Sequence, residues 1–387
     1  MKKIVIVSSL QIFKPLSGGQ LRTANLALSL GELGYDVLIY SLTGRKQNYL
    51  RFKKSDLTTI NSGVSEFVNR NIIFGLIQRF FYIMNWPPLW IFWILKYYVP
   101  ENLKTELADC DIVIADFPFL APIFKHTNGQ SWLNTHNAEY ELWSNKPILE
   151  KIVKKIEIAA MTSAEKILFC SDNDRFKFLN LDSTLSQKSV VVANGVRPTK
   201  FFENINLRSE FRKSLGIDEK NKVFIFTASQ FGPNVSAFHF LKKFCADYSN
   251  ILIENQIIIL IVGSVSKEKI DLPYLKVTGR VDEIATYICS ADFGLNPVTD
   301  GSGVNVKMME FLSALLPILS TVVGARGLSL DMDKDYISFT NENLINKLLL
   351  AAESDSETMN RMALIAKAKN QEQLDMKSSL KKILPHT

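Results

Sequence analysis

The sequence predicts an α/β protein built from two Rossmann-like, doubly wound domains. Short apolar runs alternate with amphipathic stretches along most of the chain, the pattern of a parallel sheet covered on both faces. The 387 residues correspond to roughly two to three domains of ordinary size. A polar, basic stretch at 194–222 separates two series of apolar runs. With 47% apolar and 11% aromatic residues, there is ample material for two cores and no case for a disordered chain.

The first series places strands at 3–8, 36–41, 111–116, 130–135, 166–170 and 189–193, with helices between them that include 20–33 and 147–163. Met1-Lys2-Lys3 before Ile4-Val5-Ile6-Val7 imitates a signal peptide. The apolar run is too short, however, and Ser8-Ser9 follows at once, so it reads as the first strand. The second series places strands at 223–228, 257–262, 275–278, 292–295 and 317–320. An amphipathic tail at 358–384 supplies the last helices. The domains are therefore drawn as 1–193 and 194–365, with 366–387 as a helix packing back on the first. Asn194-Gly195-Val196 at the boundary is either a junction motif or an ordinary Asn-Gly turn.

The segment 293–327 is the richest in chemistry: an apolar run, the glycine-rich turn Gly301-Ser302-Gly303, a helix bearing Lys307 and Glu310, and a second apolar run. A strand feeding such a turn into a helix start presents free backbone N–H groups and the positive end of the helix dipole to an anion. Three residues apart on a helix, Lys307 and Glu310 share a face. The ammonium suits phosphate oxygens and the carboxylate suits sugar hydroxyls, which points to a nucleotide-sugar site; the same spacing also describes an ordinary solvated pair.

The block resembles the C-terminal signature of family 4 (group 1) retaining glycosyltransferases, of the GT-B superfamily. The resemblance rests on Gly301-Ser302-Gly303, Lys307, Met309-Glu310, Pro317-Ile318-Leu319-Ser320-Thr321 and Gly324-Ala325-Arg326-Gly327-Leu328. It continues in Val223 through Gln230 with Phe231-Gly232-Pro233-Asn234, in Ile261-Val262-Gly263, and in Gly279-Arg280-Val281. It implies the GT-B fold, with an acceptor-binding first domain and a donor-binding second domain facing an interdomain cleft. It also implies that Ser229, Gly279, Arg280, Val281, Gly301, Ser302, Gly303, Lys307 and Glu310 hold the nucleotide sugar. Lys307 would meet the leaving diphosphate and Glu310 the ribose, with neither metal nor cofactor required.

In the first domain, Gly18 and Gly19 open the helix at 20–33, with Arg22 one turn in. The spacing is not G-x-G-x-x-G, and no acidic residue ends a second strand as a dinucleotide enzyme would need. By resemblance the glycine pair faces the cleft, near donor phosphate or acceptor; by conformation alone it is a permissive turn. Arg22 reads either as a phosphate partner or as a surface arginine. His136 follows an apolar strand, where ligands of open α/β sheets gather. The resemblance makes it a contact of the transferred sugar and a catalytic residue beside Lys307 and Glu310; the other reading is a loop histidine capping the next helix. Glu139 fits the third position of a capping box.

The family signature carries a second glutamate eight residues before Glu310, where this chain has Ser302, and an arginine two before Lys307, where it has Asn305. The leaving-group charge then falls almost entirely on Lys307, with Arg326 as helper. Cys110, Cys170, Cys245 and Cys289 lie far apart without CxxC or Cys/His spacing, as expected of reduced, mostly buried thiols rather than a zinc site or disulfide frame. Asp-x-Asp pairs such as Asp109/Asp111 and Asp172/Asp174 fall at no strand end with glycine support. A net charge of +6 is scattered, as on an ordinary solvated surface, though it would also favour an anionic membrane surface, and no nucleic-acid motif accompanies it.

The segment 71–100 holds ten aromatics and only Arg79 and Lys96 as charges. Its proline-broken uncharged run falls short of the ~20 residues that span a bilayer. It is either a membrane-interface segment gripping a lipid-linked acceptor or a buried helix pair. These features together predict a cytoplasmic enzyme, peripheral on the inner face of the cell membrane, that moves a sugar from a nucleotide-diphosphate sugar to a hydroxyl of a bacterial cell-surface polysaccharide or glycolipid. The alternative is a catalytically silent sugar-nucleotide-binding subunit of a glycosyltransferase complex.

Overall fold

The computed structural model describes residues 1–13, 18–42, 56–61, 63–196, 208–301 and 305–384. The chain divides into two compact units, Met1–Asn194 with Asp375–Thr387, and Gly195–Leu374.

The first unit is built on eight strands: β1 (Lys3–Ser8), β2 (Asp36–Ser41), β3 (Asp56–Asn61), β4 (Val64–Val68), β5 (Ile112–Asp116), β6 (Gln130–Asn134), β7 (Lys166–Phe169) and β8 (Ser189–Val191). They lie in the order β3-β4-β2-β1-β5-β6-β7-β8, all neighbours parallel except β3 against β4. Val5 and Val7 enter one core, while Ile4 and Ile6 enter another on the opposite face. A strand buried on both faces reads as a continuous apolar run, as KIVIVS does.

The antiparallel hairpin β3–β4 is a departure from the strand list expected of the sequence. β3, DLTTIN, is an edge strand with little apolar signal. β4 carries Glu66, 1% exposed, whose carboxylate accepts the backbone N–H groups of Ile12 (2.6 Å) and Phe13 (3.2 Å) and the Ser41 hydroxyl (2.7 Å). The segment leaving β1 is thereby tied to the sheet edge.

The second unit repeats the plan with β9 (Lys222–Thr227), β10 (Ile257–Val262), β11 (Ile270–Asp271), β12 (Leu275–Val277), β13 (Phe293–Asn296), β14 (Ile318–Ser320) and β15 (Ile337–Ser338). The order is β11-β12-β10-β9-β13-β14-β15. Phe224 and Phe226 face one core and Val223 and Ile225 the other. Gly294 is required where a Cβ would stand 2.4 Å from the Phe311 ring, so the helix Val306–Ser313 lies directly on β13.

The chain returns to the first unit at Asp375, not at 366. The helix Ser356–Lys369 buries Ala366, and the following turn buries Leu374, in the second unit's core, whereas Met376 and Leu380 enter the first unit's core. Cys110, Cys170 and Cys245 are buried free thiols and Cys289 is half-buried.

Candidate functional site

Each sheet has one point where the strand order reverses, between β1 and β5 in the first unit and between β9 and β13 in the second. In open α/β sheets such a point leaves a crevice at the carboxyl ends of the strands. Asp116 ends β5 in the first unit, and Asn234 and Lys307 meet beyond β9 and β13 in the second.

In the second unit, the helix Val306–Ser313 buries Lys307 to 8% exposure. Its amine donates to Asn234 Oδ1 at 2.9 Å and stands 5.0 Å from the centroid of the Phe226 ring. Asn234, in the first turn of the helix Gly232–Asp247, in turn donates to the Ser229 carbonyl at 3.2 Å. Ser229, Asn234 and Lys307 thus form one chain of contacts across the ends of β9 and β13. Burial pulls the Lys307 amine down to about 7, with Glu310 opposing and Arg326 adding to the shift. Burial likewise pushes the Glu310 carboxyl up to about 7 against the pull of Lys307. Burial thus draws both members of the pair toward their neutral forms.

The glycine turn brings further positive charge. Gly301 has φ +105, and a Cβ there would sit 3.2 Å from both Arg326 Nη2 and Pro233 Cγ, so backbone and guanidinium approach as only glycine permits. Neither Phe231 nor Asn305 gives its helix a side-chain cap. Asn305 instead donates to the Gly324 carbonyl at 2.9 Å, which also accepts from Asn296 at 3.0 Å. Gly324 has no room for a Cβ, which would lie 2.5 Å from Ser320 Oγ; this accounts for the glycine of the Gly324-Ala325 motif. Gly279, at the end of β12, accepts from the Gly263 N–H at 3.0 Å, and Gly263 packs on Ala228. Arg280 is exposed and Val281 half-buried beside it. Ser302 and Gly303 lie outside the described residues.

In the first unit, His136 is 8% exposed. Its Nε2 lies 2.8 Å from Asp116 Oδ1. A carboxylate only accepts, so Nε2 is the donor of this hydrogen bond. Nδ1 is buried without a hydrogen-bond partner, beside Gly19, where a Cβ would stand 3.1 Å away. The ring stacks on Phe117 at 4.2 Å, a residue held at φ +110. Such strain in a non-glycine residue persists only where surroundings impose it, and it concentrates at working sites. Asp116, 1% exposed, also accepts from the Thr23 hydroxyl at 2.8 Å and the Asn134 amide at 2.9 Å. Burial alone would raise its carboxyl; the His136 charge and these hydrogen bonds win and hold it below the ordinary value.

Arg22 matches neither expectation drawn from its position. It is 2% exposed, with the guanidinium donating to Asn134 Oδ1 (3.1 Å), the Val192 carbonyl (2.5 Å), Asn194 Oδ1 (3.0 Å) and the Leu168 carbonyl (3.3 Å). It ties together the ends of β6, β7 and β8 rather than offering itself to a phosphate. Gly18 is exposed at the start of the helix Gly18–Glu32.

Glu139 does not act as a capping residue. It is buried, and burial pushes its carboxyl up to about 7. Its own N–H and that of Tyr140 each donate to Glu157 at 2.9 Å. Burial followed by the Glu139 charge pushes Glu157 up to about 8. Asp116, Phe117 and Glu157 have no sequence signal of their own, and only the strand-end rule applied to β5 would have singled out Asp116; Asn234 stands in the Pro233-Asn234 motif, but its contact with Lys307 was not foreseen.

Residues 221–355 match the sequence model of the family described as Glycosyl transferases group 1. No curated protein matches the chain in sequence. Sucrose-phosphate synthase from Thermosynechococcus elongatus superposes with a TM-score of 0.68 at 12% identity, covering 99% of this chain and 98% of that one. HepE from Anabaena, solved in complex with UDP-glucose, gives 0.66 at 15% identity with the same coverage. WaaG, a glycosyltransferase involved in lipopolysaccharide biosynthesis, gives 0.58 at 15% identity over 98% of both chains. The likeness is one of fold, shared with these solved structures over nearly the whole chain.

Proposed function

We propose that this group 1 glycosyltransferase moves a sugar from a nucleoside-diphosphate donor to a hydroxyl acceptor with retention at the anomeric carbon. The observation that carries the reading is the buried Lys307 amine, bound to Asn234 where β9 and β13 part. A lysine held there at about 7 recovers its charge when a diphosphate arrives, and that charge stabilises the leaving group as its bond to the anomeric carbon breaks. Arg326 and the backbone at Gly301 add to the positive field, while Glu310 accepts ribose hydroxyls. The acceptor oxygen bonds to the anomeric carbon from the face the diphosphate leaves, and its proton passes to a departing phosphate oxygen. His136, oriented by Asp116, steadies the transferred sugar. Positive charge comes from side chains throughout, so the reading calls for no metal.

Incubating the full chain with UDP-, GDP-, ADP- and CDP-sugars tests it. One donor is expected to raise the melting temperature and to be consumed, with turnover abolished by Lys307→Ala and by Glu310→Ala. Binding without turnover favours a silent nucleotide-sugar-binding subunit, a reading supported by Ser302 and Asn305 standing where the family signature carries glutamate and arginine. No response to any donor refutes both.

The acceptor-side unit rests on an anionic bilayer surface at the inner face of the cell membrane. Among the described residues no helix is long and apolar enough to cross a membrane. The helix Ile72–Ile83 nevertheless presents Ile72, Ile73, Leu76, Phe80 and Ile83 to solvent, and Trp93 and Tyr97 are exposed on the helix Leu89–Tyr97. Lys96 stands over both of those rings, at 5.4 and 5.7 Å, and Arg79 is exposed on the same stretch. An apolar face edged by cations is the make-up of an interfacial helix, and WaaG's part in lipopolysaccharide biosynthesis is consistent with an acceptor made at a membrane. Co-sedimentation with phosphatidylglycerol vesicles, lost in Ile73→Glu/Phe80→Glu and absent with phosphatidylcholine, is the expected outcome; equal sedimentation of the variant removes the bilayer from the account.

A further inference from the structure

The backbone at 321–326, directly after β14, is pinned from several elements at once. The Thr321 N–H donates to the Asn296 carbonyl at 3.2 Å, and the Gly324 N–H donates to Thr321 Oγ1 at 2.9 Å. The Gly324 carbonyl accepts two side-chain amides, Asn296 Nδ2 at 3.0 Å and Asn305 Nδ2 at 2.9 Å. One amide ends β13 and the other immediately precedes the helix Val306–Ser313. A carbonyl has two lone pairs, so this one is filled. With both its polar groups bonded and no room for a Cβ, Gly324 has a single position open to it, and the side chain two residues on inherits that precision.

That side chain is Arg326, half-buried, with Nη1 donating to the Val323 carbonyl at 2.7 Å. Its Nη2 and the Pro233 ring both lie 3.2 Å from where a Cβ of Gly301 would stand. Asn234, next to that proline, accepts from the Lys307 amine. The guanidinium and the ammonium thus flank one small stretch of backbone, near enough for the Arg326 charge to act on Lys307. We infer that Arg326 is the second cation gripping the diphosphate, and that Asn305 and Asn296 are positioning residues that aim it through the Gly324 carbonyl. The inference deepens the transferase reading and rests on it. An amide at 305 has no charge to offer a phosphate, and its donor is engaged with Gly324; the cation comes instead from the segment the amide holds. Two like charges set side by side disfavour each other, whereas an anion with charge on two adjacent phosphoryl groups compensates both. The pairing also divides the work, because the planar guanidinium fork takes two oxygens at once and fixes their orientation, while the ammonium acts as a point charge.

Calorimetric titration of the full chain with UDP, GDP, ADP and CDP identifies the diphosphate that binds, and the matching monophosphate serves as its control. Arg326→Gln keeps a donor for the Val323 carbonyl and removes the charge; it is expected to weaken the diphosphate about tenfold and the monophosphate less. Asn305→Ala is expected to weaken the diphosphate roughly threefold to tenfold, and to change nothing further in the Arg326→Gln background, since the side chain it aims is gone. An amide with a merely structural part would lower the melting temperature and weaken binding by the same factor in both backgrounds, so the coupling between the two positions is the deciding readout. The inference is overturned if Arg326→Gln leaves diphosphate affinity unchanged, if the monophosphate loses as much, or if the two losses multiply independently. Lys307→Ala, titrated alongside, keeps the two readings apart. Diphosphate binding that falls with Lys307→Ala but not with Arg326→Gln removes Arg326 and leaves the transferase reading standing. Binding that needs both cations, with no nucleotide sugar consumed, upholds the grip and removes the transfer, and no binding of any of the four diphosphates overturns both.

Discussion

Lys307 and Glu310 set the pH behaviour of nucleotide binding. The Lys307 amine is lowered to about 7, so above that value the free site holds a neutral amine, and a diphosphate must recruit a proton as it binds. One pH unit of that recruitment costs about 1.4 kcal/mol, up to tenfold in Kd. Glu310 is raised to about 7, so below that value it loses the charge with which it accepts ribose hydroxyls. Affinity for the nucleotide diphosphate is therefore expected to peak near pH 7 and to fall on both sides in calorimetric titrations. Lys307→Arg, whose guanidinium stays charged, flattens the alkaline limb, and Glu310→Gln flattens the acid limb. A profile unchanged by both variants excludes the pair from the site. Arg22 predicts a different outcome. With four hydrogen bonds on a buried guanidinium, Arg22→Met is expected to cost about 3 kcal/mol of stability or more, seen as a lower denaturation midpoint, while nucleotide affinity of the folded fraction is unchanged.

At the scale of elements, the hairpin β3–β4 holds the segment leaving β1 through Glu66. Replacing that carboxylate by Gln removes acceptor capacity from the Ile12 N–H, the Phe13 N–H and the Ser41 hydroxyl, a loss of about 1–3 kcal/mol. Amide exchange of Ile12 and Phe13 is expected to accelerate ahead of the strands; uniform acceleration would mean that the carboxylate supports the whole sheet instead. This hairpin also marks where sequence reading stopped. The parallel strands β1, β5, β9 and β10 were legible because burial on both faces demands unbroken apolar runs, and Lys307 was legible because a glycine turn precedes its helix. β3 was not, since an edge strand buries too little to require apolar residues. Asp116 was not, because a carboxylate ending a strand is common everywhere, and Asn234 was legible as part of a motif but not in its role; what distinguishes them is the side chain each meets from an element distant in sequence, His136 in one case and Lys307 in the other. Arg22 was misread for the same reason: the Leu168 and Val192 carbonyls that absorb its guanidinium lie 146 and 170 residues further along.

For the whole molecule, the two units are separate in their cores, and their cysteines are divided between them. Cys170 belongs to the first unit and Cys245 to the second, and burial drives both thiols up to about 12. Neither ionises under ordinary conditions, so an alkylating reagent reaches either one only during an opening event. Each half of the chain therefore contains its own clock. Mass-resolved labelling at pH 8 is expected to modify the half-buried Cys289 first. Adding a nucleoside diphosphate, which carries no sugar for His136 to hold, should then slow Cys245 while Cys170 keeps its pace, giving a record of which half the ligand holds shut that needs no product, no acceptor and no engineered probe.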